Sequence, residues 1–101
     1  MSRTIHSTVP FPMLADPGTA PLLAAHGVGP EIYFSGNVLD ALRPGEAEGA
    51  AASLRAAGIA TSTFHGPFDD INPGARDEEA RRLAVRRLTQ AIALAPLFRP
   101  L

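Results

Sequence analysis

The 101 residues contain no cysteine, no lysine and no tryptophan. Without cysteine there is no disulfide, no thiolate metal site and no cysteine nucleophile. Without lysine, Schiff-base catalysis and a Walker-type phosphate loop are excluded. Long apolar runs are missing too. None approaches the roughly 20 residues of a membrane span, and Met1-Ser2-Arg3-Thr4 leads into an interrupted segment instead of a signal-peptide core. A cytoplasmic protein with no membrane partner is the expectation. Nine arginines stand against ten acidic residues, a formal charge of -1. No overall positive field is therefore available to hold a nucleic acid, which is not an expected partner. No Ser-His-Asp arrangement or metalloprotease helix motif can be read, and Gly27-x-Gly29 stands before a strand, the wrong context for a dinucleotide site.

What is present is a rhythm. Hydrophobic residues make up 46% and charged residues 19%, the composition of a globular chain of at most one domain. Short β-branched or aromatic runs alternate with Ala/Leu-rich stretches, which predicts strands over 4–9, 31–34 and 60–65 and helices over 19–26, 45–57 and 77–95. Pro10 and Pro12 stop the first strand. Thr19 offers a cap for the first helix, Gly27 and Gly58 terminate the first two, and Pro96 closes the third. The third helix repeats apolar residues at Ala80, Leu83, Ala84, Leu88, Ala91, Ile92 and Ala95, with Asp77–Arg81 and Glu78–Arg82 spaced as acid-to-base pairs. Strands about 27–29 residues apart, linked by helices, are parallel and joined by right-handed crossovers. A (β/α)8 barrel spends roughly 31 residues per unit. The expected fold is therefore α/β, three consecutive βα units forming a partial barrel. A small doubly wound domain would leave two bare edges and little core. Exposed edges also predict self-association.

Four residues carry candidate chemistry. His65 ends the third strand before Gly66-Pro67, so it lies at the carboxyl rim where barrel active sites are built. It serves there either as ligand or acid/base group, or as a hydrogen-bonded loop cap. Asp70 adjoins Asp69 in the following loop and can position a substrate or cap the next helix. Glu31, at the start of the second strand, can bind substrate or serve the stability of the barrel's lower end. His6 shares a face with Thr4 and Thr8, opposite Ile5, Ser7 and Val9, and either lines the pocket or is a hydrogen-bonded core histidine. His26 sits at a helix end and is assigned no chemistry. Arg81, Arg82, Arg86 and Arg87 read as a solvated helix surface.

Three stretches carry a resemblance: Pro30-Glu31-Ile32-Tyr33-Phe34-Ser35-Gly36, then His65-Gly66-Pro67-Phe68-Asp69-Asp70-Ile71-Asn72-Pro73-Gly74, then Asp77-Glu78-Glu79-Ala80-Arg81-Arg82 with its Ala/Leu helix. Together they resemble the N-terminal part of xylose isomerase-like TIM barrels, a group that includes sugar phosphate isomerases/epimerases and metal-dependent apurinic endonucleases. The resemblance implies metal-assisted proton transfer next to a sugar carbonyl, with a sugar or sugar phosphate as partner. It implies a divalent cofactor (zinc, manganese or magnesium) with His65 as a metal ligand, His65 and Asp70 as catalytic residues, and His6 and Glu31 as substrate contacts. The remaining ligands of such a barrel come from later strands, so the chain alone is expected to lack a complete active site. Two alternatives stand beside this one. One is zinc-dependent phosphodiester hydrolysis of the endonuclease kind; the other is a non-catalytic fragment or half-barrel that needs a partner.

Overall fold

The computed structural model describes residues 4–68 and 71–100. The elements are β1 (Ile5–Pro10), a 3-10 turn (Phe11–Ala15), α1 (Thr19–Ala25), β2 (Val28–Tyr33), α2 (Gly36–Ala41), α3 (Glu46–Ala56), β3 (Thr63–His65) and α4 (Glu78–Phe98). The strands form one sheet in the order β1-β2-β3, and both pairings are parallel. This is the α/β, sequentially ordered arrangement that the alternation of strands and helices predicts.

Period-two alternation decides which face is covered. Pro30, Ile32 and, just past the strand, Phe34 are fully buried on one side of β2. Glu31 and Tyr33, which point the other way, are half-buried. Val9, Ile32 and Phe34 share a single hydrophobic cluster with Ala20 of α1, Leu39 of α2, Ala47, Ala51 and Leu54 of α3, and Ala91 and Phe98 of α4. All four helices therefore pack on one face of the sheet, and among the described residues no helix covers the other, the open face. Removing a side chain such as Phe34 from water contributes about 1.5–3 kcal/mol. Its ring stacks on Phe11 at 4.8 Å and also meets Phe64 and Phe98.

Several boundaries differ from expectation. β2 begins at Val28, not 31, so Gly29 and Pro30 lie inside a strand and Glu31 sits mid-strand, not at its start. Pro30 is tolerated because the β2–β3 ladder begins only at Glu31, and β2 has one paired neighbour at that point. β3 is shorter than expected, Thr63–His65 in place of 60–65. Gly18, not Thr19, caps α1. Gly27 and Gly58 do take the left-handed conformation of helix terminators, with φ of 65° and 79°.

α4 shows the largest departure. Pro96 lies inside it and the helix continues to Phe98. A helical proline costs about 3 kcal/mol, but Phe98 buries its ring against Phe34 and Phe64, and the Ser62 hydroxyl donates to its carbonyl at 3.0 Å. At the other end Asp77 accepts from the Ala80 N–H at 3.1 Å, so it is a cap and not the partner of Arg81. Arg81 instead donates to the carbonyls of Ala75 and Arg76, while the Glu78–Arg82 pair forms as expected at 2.7 Å. Ile92, placed on the buried stripe by its spacing, is 69% exposed. Arg87 takes an inward position, its side chain 15% exposed, and binds Asp40 of α2 through both guanidinium ends. The arginine surface of α4 is thus solvated only in part.

Candidate functional site at the open face

The open face is built in rungs, because strands in register point their paired side chains to the same side. The lowest rung joins His6, Gly29 and Thr61. His6 pairs in register with Gly29, and its Nε2 lies 3.1 Å from Thr61 Oγ1, so the imidazole passes over β2. Only glycine permits this. A Cβ on Gly29 would lie 2.8 Å from both His6 Cδ2 and the Thr61 carbonyl oxygen. The middle rung is Thr8, Glu31 and Thr63. Thr8 Oγ1 donates to Glu31 Oε1 at 2.9 Å, while Thr63 Oγ1 is buried with no hydrogen-bond partner among the described residues.

The top rung is Pro10, Tyr33 and His65, at the carboxyl end of all three strands. His65 stands edge-on to Tyr33 at 5.1 Å, and Phe68, 57% exposed, lies 5.0 Å from His65 and 5.5 Å from Tyr33. His65 Nδ1 is 2.8 Å from the carbonyl oxygen of Gly66. A carbonyl only accepts, so Nδ1 carries the proton and the neutral ring keeps its lone pair on Nε2. Nε2 is then the nitrogen able to act as a general base or a metal ligand. The Phe34 N–H donates to the His65 carbonyl at 3.3 Å and ties the two strand ends together.

The chain matches no family model, no curated protein and no solved structure. Its chemistry is read from its own geometry.

Of the residues expected from sequence, His6, Glu31 and His65 share the open face, on successive rungs. Asp70 lies outside the described residues. His26 is exposed at the C-terminal end of α1. Among the described residues no group of three or more His, Asp or Glu side chains could hold a metal ion. These residues therefore do not by themselves fit the divalent ion that the resemblance implies. Tyr33, Thr61 and Phe68 were not singled out from sequence. Tyr33 had a usable signal, since it lies two residues beyond Glu31 and so on the same face.

Charge is distributed unevenly between the layers. The strand residues of the open face carry two histidines, one glutamate and no arginine. In the helical layer, hydrogen bonds from Arg87 hold the Asp40 carboxyl below the ordinary aspartate range. The Arg43 backbone N–H does the same for Glu46, at 2.7 Å. Both are structural pairings. A recess of about 250 Å³ opens at the opposite, amino end of the strands, lined in part by Thr4, Val28, Ala57 and Ile59, and holds no titratable side chain.

Proposed function

We propose that these three units are a sector of a xylose isomerase-like (β/α)8 barrel, and that its open face binds a small polyhydroxylated substrate, a sugar or sugar phosphate. In this reading His65 Nε2 takes the proton from the carbon next to the substrate carbonyl. The observation that carries it is the 2.8 Å contact of His65 Nδ1 with the Gly66 carbonyl, which leaves the lone pair of the neutral ring on Nε2, beside Tyr33 and Phe68 at the carboxyl rim.

The one-sided helical layer supports the barrel. Doubly wound sheets carry helices on both faces, whereas a barrel keeps all of them outside and turns the other face inward. Glu31 offers a carboxylate to a substrate hydroxyl, and His6 forms the floor beneath it. One lone pair cannot serve both roles, so in this reading His65 Nε2 is the base and not a metal ligand. The lack of arginine on the face disfavours phosphodiester hydrolysis, since a nucleic-acid surface needs cations along the backbone. A sugar phosphate stays compatible, because barrel phosphate sites lie in the loops after strands 7 and 8.

The test is solvent exchange. The chain, supplied with magnesium or manganese, is incubated in deuterium oxide with aldoses, ketoses and their phosphates, and label is followed by NMR at the carbon beside the carbonyl. His65→Ala should slow incorporation by about 10²–10⁴-fold, the worth of a positioned general base. His26→Ala should leave it unchanged. Equal effects of the two substitutions, or neither incorporation nor a saturable shift of the His65 ring signals with any of these sugars, would remove the assignment.

A further inference from the structure

β1 pairs only with β2, so among the described residues no strand covers its outer edge. Exposed edges are usually blunted by charge, by an internal proline, by a bulge or by shortness. β1 has almost none of these protections. It is six residues long, Ile-His-Ser-Thr-Val-Pro, without a formally charged residue, and its register with β2 is unbroken from Ile5 to Pro10. The one proline stands at its last position. The other edge strand, β3, has three residues. Ile5 is 72% exposed, the most exposed large apolar side chain among the described residues.

We propose that β1 is a self-pairing edge, through which two copies of the chain join antiparallel about a two-fold axis with Ser7 opposite Ser7. The two faces of the strand select this register. On the helix-bearing side it sets Ile5 beside Val9 of the second copy, apolar against apolar. On the open side it sets His6 beside Thr8, polar against polar. Slipping by one residue would set Ile5 against Thr8 and throw the second helical layer to the opposite side of the sheet, because a one-residue shift exchanges the faces. The paired form is a six-stranded sheet, β3-β2-β1-β1-β2-β3, with both helical layers on one side and both open faces on the other. The occupant is a second copy because the strand is self-complementary in this register, as a two-fold interface requires. The inference does not rest on the barrel reading above and is exclusive of it at this edge, since a closed barrel would seat a further strand against β1.

The absence of cysteine makes the test clean. Ser7→Cys should give a disulfide-linked dimer under mild oxidation, while Ser53→Cys, on the exposed face of α3, should not. Ser7 is exposed, so Ser7→Lys leaves the folded monomer intact but sets two like charges opposite each other in the dimer. Sedimentation equilibrium should then show association weakened by about tenfold or more, with an unchanged circular dichroism spectrum. A wild-type chain that is monomeric at every concentration overturns the proposal. So does a dimer that Ser7→Cys fails to link and Ser7→Lys fails to weaken; if Ser7→Lys unfolds the chain, the cross-link alone decides.

Discussion

Tyr33 and His65 meet edge to face across the β2–β3 ladder, their ring centroids 5.1 Å apart and their planes at 87°. The contact holds the imidazole upright while the Gly66 carbonyl holds its Nδ1 proton. Nitrogen NMR of the neutral ring is therefore expected to show Nδ1 protonated and Nε2 bare at His65. The reverse pattern would mean that the Gly66 contact is not a hydrogen bond and that the lone pair lies on Nδ1, which would count against the proposed role of Nε2.

Gly29→Ala tests the floor of the site. The new methyl would press on the His6 ring and on the Thr61 carbonyl, both at 2.8 Å. Overpacking of this kind costs about 1–3 kcal/mol, to be read from urea denaturation. Adding His6→Ala should recover only part of the loss, because the backbone oxygen remains in place. Full recovery in the double variant would show that the backbone at Thr61, just before β3, yields to the new methyl.

The Asp40–Arg87 pair sets an acid limit. Hydrogen bonds from Arg87 lower the Asp40 pKa from its ordinary value of 3.8, so the folded state binds protons there less readily than the unfolded chain. The pair's stabilisation is complete above that ordinary value and is lost as the pH falls through the lower, folded one. Asp40→Asn should make the acid limb of the stability curve shallower below about pH 4, and added salt should shrink the difference, since Asp40 is 56% exposed. An unaltered acid limb would show that the pair contributes nothing.

Ser62 is buried, and its hydroxyl satisfies the Phe98 carbonyl at the end of α4. Ser62→Ala is expected to cost about 1 kcal/mol, the net worth of one such bond. Pro96→Ala should act in the opposite direction by restoring a helical N–H, for a gain of up to about 3 kcal/mol. Urea midpoints that fail to move in opposite directions would separate the end of α4 from its docking on β3.

The alternation of strands and helices was legible because it rests on local composition and spacing. Period two set His6 on one face with Thr8, and the structure brings Glu31 and His65 to that same face. What escaped was decided by partners distant in the chain. Gly29 and Pro30 have the local character of a break, yet they enter β2 because a histidine 23 positions earlier in the chain lies over one of them and the core covers the other. Pro96 has the local character of a stop, but Phe98 finds an aromatic pocket formed by Phe34 and Phe64. Arg87 is inward because Asp40, on a separate helix, receives it. Asp70 lies outside the described residues, so the part of the site expected from the loop after β3 rests on sequence alone.

The His6–Thr61 bond has a bearing on the order of folding. It links residues 55 apart in sequence across two strand spacings, about 9.5 Å of sheet. Such a contact repays its loop-closure entropy only after β2 has docked between its ends. The polar floor is thus a late feature of assembly, so His6→Ala is expected to speed unfolding more than it slows folding.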